Sequence, residues 1–166
     1  MAVLKYGLNE MKENMVKASG RNLNVSAKQC IEICNHIRGR KLKQAKMMLQ
    51  DSMDIKRAIP FKRFTNGLGH KPGMGSGRFA PKACAEILRV LKSAEGNAKN
   101  KGFNAADLVV THIATQRAPK TWHYGRQSRT QFKSVHIEVV LAEVKEVKII
   151  DGKKKDTKKK DAVKKD

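Results

Sequence analysis

Positive charge in this chain is segregated, and that segregation limits what it can fold into and with what it can coexist. Between Asp54 and Glu86 there is no acidic residue but there are seven basic ones: Lys56, Arg57, Lys62, Arg63, Lys71, Arg78 and Lys82. Between Asp107 and Glu138 there is again no acid, and Arg117, Lys120, Arg126, Arg129 and Lys133 stand there with His112, His123 and His136. Solvated loops usually mix both signs, so such stretches either repel one another or meet a polyanion. The whole chain is biased the same way, with 36 Lys and Arg against 15 Asp and Glu and a formal net charge of +21. The expected partner is therefore nucleic acid, with an anionic membrane surface as the weaker alternative. Membrane insertion is not expected: no apolar run approaches the ~18 residues of a span. The stretch from Met1 to Gly20 also lacks the apolar centre of a signal peptide.

Between the basic stretches, apolar residues recur at regular intervals. They make up 40% of a 166-residue chain, enough for one compact domain with its own core. Ser26 and Gln29 have capping-box spacing, and Ala27, Cys30, Ile31, Cys34 and Ile37 then recur at helical intervals up to a stop at Gly39. A second helix is expected from about Lys41 to Met53, with Leu42, Ala45, Met48, Leu49 and Met53 as its apolar stripe. Pro81 suits a first helical position and opens a long helix toward Gly102. Residues from about Ile55 to Ala80, with Pro60, Pro72 and five glycines, read as loop or short turns.

Two strands are expected after the long helix, Leu108 to Thr115 and Val135 to Val144. In the second, Ile137, Val139 and Leu141 fall on one face and His136 and Glu138 on the other. Val16 to Val25 is a weaker strand candidate that would complete a three-stranded sheet. The expected fold class is α+β, a small antiparallel sheet covered by helices. Residues 1–150 would form a single domain, in which the polar connection at about 116–134 is either an ordinary loop or an extended hairpin arm. Residues 151–166, with eight lysines and four aspartates, would form a tail too polar to order itself.

Catalysis has little to stand on. The histidines, His36, His70, His112, His123 and His136, have no partnering motif, and there is no paired-carboxylate or metal-binding cluster. Neither a cofactor nor a metal is expected. Gly67-Leu68-Gly69 lacks the third glycine and the strand–helix context of a dinucleotide loop. Cys30, Cys34 and Cys84 are an odd number without framework spacing and read as small core residues. The cations carry the chemistry. Lys and Arg neutralise phosphates, and the arm adds Trp122, Tyr124 and Phe132, whose rings can stack on unpaired bases. Local packing of Trp122 in the arm is the competing reading.

Several segments then match a known family in order. Ser19-Gly20-Arg21-Asn22-Leu23-Asn24-Val25, Ile59-Pro60-Phe61-Lys62-Arg63-Phe64 and Leu91-Lys92-Ser93-Ala94-Glu95-Gly96-Asn97-Ala98 resemble the large-subunit ribosomal protein L twenty-two family. The closer likeness is to its archaeal and eukaryotic branch, called L seventeen in older eukaryotic usage. Arg117-Ala118-Pro119-Lys120 and His136-Ile137-Glu138-Val139-Val140-Leu141 extend the match. The resemblance implies a structural protein of cytoplasmic ribosomes. It would bind large-subunit ribosomal RNA and neighbouring ribosomal proteins, with a long extended β-hairpin reaching the nascent-peptide exit tunnel. Carried over by position, Arg117 to Lys133 would be that hairpin, with Tyr124, Gly125 and Arg126 at the tip beside the nascent peptide. A free-standing nucleic-acid-binding regulator is the alternative function.

Overall fold

The computed structural model describes residues 6–7 and 13–143. The expected lysine-rich tail at 151–166 lies outside the described residues, as does Val144. The described chain runs β1 (Met15–Leu23), α1 (Ala27–Ile37), α2 (Leu42–Met53), β2 (Ile59–Pro60), β3 (His70–Lys71), β4 (Gly75–Arg78), α3 (Pro81–Asn100), β5 (Leu108–Arg117) and β6 (Val135–Glu143). A single 3-10 turn, Gly125–Gln127, lies between β5 and β6.

The main sheet is antiparallel in the order β1-β6-β5, so the last of the described strands is the central one. Its register runs from Met15↔Ala142 to Leu23↔Val135 on one side and from Leu108↔Glu143 to Arg117↔Val135 on the other. One face carries the core. Val135, Ile137, Val139 and Leu141 of β6 are fully buried there with Ile33 and Ile37 of α1, Leu49 of α2, and Ile87 and Leu91 of α3. Each helix buries most of the stripe its periodicity announces, although Ile31 and Met48 are only half-buried and Ile33 takes a core place, and removing these side chains from water drives the fold. The turn between α1 and α2 also closes part of the β5 edge: Gly39 N–H donates to Val110 O at 2.8 Å, and Val110 N–H donates to Arg40 O at 2.9 Å.

Three expectations need adjustment. The 55–80 segment is more than turns, because β2, β4 and β3 pair into a small second antiparallel sheet. Ser26 does precede α1, yet its side chain makes no capping bond, so the reciprocal capping box is not formed. The outer face of β6 is not simply wet. Val140 is fully buried and Glu138 is 8% exposed. Glu138 accepts the Gly7 N–H at 3.1 Å and sits 3.0 Å from His112 Nε2. A Cβ on Gly7 would come within 2.8 Å of Glu138 Oε1, so glycine allows this covering segment to lie so close.

The β5–β6 ladder ends at Arg117↔Val135. Beyond it the two sides of the connection are joined by one isolated bridge, Trp122↔Gln131, and by scattered backbone bonds rather than by a continuous long hairpin.

Candidate nucleic-acid interface

The basic loop that comes after β2 is held by a carboxylate. Glu32, on α1, is only 3% exposed and accepts backbone N–H bonds from Arg63 at 2.7 Å, Phe64 at 2.9 Å and Lys62 at 3.2 Å. Burial alone would raise its pKa. The three N–H donors, first that of Phe64, and the Arg63 charge outweigh burial and hold it below the ordinary glutamate value. Phe61 buries its ring in the core and donates its N–H to Ser76 O at 2.9 Å, tying the loop to β4. The backbone of Lys62 and Arg63 is thus pinned while both side chains point into solvent.

This pinning shapes a cleft of about 410 Å³ between the β1–α1 turn, the first turn of α1, the 61–68 loop and the start of α3. Arg63, Arg78 and Lys82 come from the first acid-free stretch, Lys133 from the second, and Lys28 from α1; no acidic residue lines the cleft. At its side Phe64 has Arg63 Cζ 5.4 Å and Lys28 Nζ 5.7 Å from its ring centre. Outside the cleft, His36 has its pKa lowered by burial first and then by Arg40, Arg57 and Lys62.

The remaining expected contacts lie outside the cleft. Lys56 and Arg57 are exposed beyond α2, and Lys56 Nζ pairs with Asp54 at 3.3 Å, so part of its charge is already answered. Lys71 is half-buried with its Nζ 5.4 Å from the Phe79 ring. Arg117, Lys120, Arg126 and Arg129 are exposed along the arm. There Ala118 N–H donates to Ser134 O, Phe132 N–H to Thr121 O and His123 N–H to Thr130 O, at 3.1, 2.8 and 2.9 Å. His123 stacks on Phe132 with ring centres 3.5 Å apart. Trp122, by contrast, is 61% exposed and Tyr124 is 87% exposed, so Trp122 is not the local packing ring; Phe132 is. Gly125 turns the chain at a φ of +65°, a backbone angle glycine adopts without strain.

No thiol competes for a chemical role. Burial pushes Cys30 up to about 12 and Cys34 up to about 11, and it raises Cys84 as well, so none supplies a thiolate. Six contributors escaped sequence reasoning: Glu32, Lys28, Asn24, Gln29, Phe64 and Asn66, the last five lining the cleft. For Glu32 a signal existed, since it is the sole acid between Glu13 and Asp51.

A family model described as Ribosomal protein L22p/L17e matches residues 18–142. The chain belongs to that family. Among its relatives, the large ribosomal subunit protein uL22 of Methanocella arvoryzae is 40% identical over 139 residues, which covers 78% of this chain and 90% of the relative. The uL22 protein of Methanococcoides burtonii is 35% identical over 153 residues, covering 87% of this chain and all of the relative. That of Methanococcus maripaludis strain C5 is 38% identical over 151 residues, covering 86% and 99%. The family match takes in the Glu32-pinned loop, the cleft and the whole arm.

Proposed function

We propose that this chain is a structural, non-catalytic protein of the large ribosomal subunit that holds ribosomal RNA through the cleft and the arm. The observation that carries this reading is the convergence of Arg63, Arg78, Lys82, Lys133 and Lys28 around one acid-free cleft. Cations from distant parts of a chain with a net charge of +21 repel one another in the free protein. Bringing them together on a pinned scaffold is worthwhile when phosphates lie between them. The uL22 names of the relatives support the large subunit as the assembly, in cytoplasmic ribosomes beside other ribosomal proteins.

The arm has the second role. Resemblance to the family supports a hairpin whose tip borders the exit tunnel, and the exposed Trp122 and Tyr124 beside Gly125 and Arg126 suit a surface met by RNA or by a passing peptide. Sucrose-gradient fractionation of cell extract is the deciding experiment. Co-migration with large subunits through a high-salt wash is expected, and recovery of the protein free or with chromatin would instead favour a regulator. A density map of the particle that put Gly125 and Arg126 on the solvent side would remove the tunnel role and leave the RNA role standing. RNA affinity should fall steeply with salt, with a logarithmic slope of about −0.7 per phosphate for single strands and about −0.9 for duplex DNA.

A further inference from the structure

The cleft holds more than positive charge. Its lining places three kinds of group together: cations at the rim, the half-buried ring of Phe64, and the side-chain amides of Asn24, Gln29 and Asn66. A phosphate backbone lying across a convex surface needs only the first kind. Amides carry both donors and acceptors and can match a base edge, while an aromatic ring offers a stacking plane that any base can use. The volume of about 410 Å³ falls within the roughly 300–1,000 Å³ range of clefts that enclose small ligands. A duplex is too broad to enter such a recess, whereas one nucleotide turned out of its strand fits it.

We propose that this cleft is a nucleotide pocket that takes a single unpaired, looped-out RNA nucleotide, its base against Phe64 and its flanking phosphates on the rim cations. The inference rests on the RNA-binding reading above and names the ligand of that site. The pinning by Glu32 fits this role. With the backbone of Arg63 and Phe64 fixed by two short N–H bonds, the segment that carries the ring keeps its place before RNA arrives, which lowers the entropy lost on binding. Lys28, 5.7 Å from the ring centre, sits on a flexible stem. A base that takes the ring displaces it toward the neighbouring phosphate, so its charge is used and not lost.

The test uses the full chain and short RNA hairpins with one bulged nucleotide, each of the four bases in turn, against a fully paired control, read by fluorescence anisotropy. At least one bulged RNA should bind about tenfold more tightly than the paired control, the order expected for one stacked base. Phe64→Leu should shrink that preference to within about twofold. Asn66→Ala, at an exposed position that does not endanger folding, should weaken the preferred bulge or change which base is preferred. If Phe64→Leu fails to fold, Asn66→Ala and Gln29→Ala decide the matter by the same readout. Equal, salt-sensitive affinity for bulged and paired RNA overturns the pocket and leaves RNA binding intact, as does a preference that survives every one of these variants. Absence of salt-sensitive binding to any RNA overturns the RNA reading itself.

Discussion

The two acid-free stretches are alike in composition and opposite in construction. The first is built into the domain: Glu32 takes three of its backbone N–H groups, Phe61 anchors in the core, and the small β2–β4–β3 sheet braces the glycine-rich residues up to Arg78. The second leaves the domain at Arg117↔Val135 and is held across its width by three backbone bonds and one ring stack. Local stability scales with the number of buried partners, so the first stretch should open only with the domain and the second far more readily. One presents cations in fixed positions, and the other presents them, with two exposed aromatic rings, on a support that adapts.

The largest effect that would break this contrast comes from Glu32. Glu32→Ala leaves three N–H groups without their carboxylate, and urea unfolding should report a loss of about 3 kcal/mol or more. RNA affinity at the cleft should fall with it. A loss no greater than that of an ordinary surface substitution would mean the loop is not pinned there.

Acid should reach the same contrast by another route. The folded pKa of Glu32 lies below the ordinary value, so its contribution is complete above the usual glutamate range and is lost as pH falls through the lowered value. Amide exchange at Arg63 and Phe64, corrected for intrinsic rate, should therefore speed up as the solution is taken well below pH 4.5, the ordinary value. The arm has no carboxylate between Asp107 and Glu138, so exchange at Thr130 and Phe132, corrected for intrinsic rate, should not track that transition. Glu32→Gln should abolish the dependence in the loop.

Deleting Thr121 to Thr130 should leave the domain folded, with a thermal midpoint close to that of the full chain, because no residue of the hydrophobic core lies in that span. Reconstituted subunits should retain the protein while the tunnel lining changes in a density map. Loss of the protein from the particle would make the arm an anchor instead. Within the arm, Phe132→Ala removes the His123 stack and should cost about 1 kcal/mol, felt locally as faster exchange at His123 and Thr130. The smallest expected effect is at Ser26. Its side chain makes no cap bond, so Ser26→Ala should cost under about 0.5 kcal/mol, less than the ~1 kcal/mol of a working cap.

The features legible in the sequence were local and periodic. The stripes through Cys30, Ile37 and Leu49 and the face shared by Ile137, Val139 and Leu141 came from spacing, and the structure buries these residues; the start of α3 at Pro81 came from proline's fit to a first helical position. The features hidden from it were long-range. A two-residue strand such as Ile59–Pro60 has no period, so the second sheet is visible only once Gly77 and Arg78 are seen beside it. The alternation puts Glu138 on the face opposite Ile137, and nothing in β6 reveals that Gly7 covers it. The cleft was half legible: Arg63, Arg78, Lys82 and Lys133 stood out by the lack of nearby acids, while Lys28, in an ordinary amphipathic helix, did not.

The central place of β6 has a consequence in time. Met15, in the first strand, pairs with Ala142, so the sheet cannot close until nearly the whole domain has left the synthesising ribosome. At about 5–20 residues per second, β1 waits on the order of ten seconds with its hydrogen-bonding edge open. α1, α2 and α3 can associate earlier, because α2 and α3 already share the Lys46–Glu95 ion pair and bury their stripes against each other and α1. A newborn chain would therefore pass through a helical, strongly cationic intermediate whose missing part is the strand made last, and premature termination before Val135 would leave the first strand permanently without a neighbour.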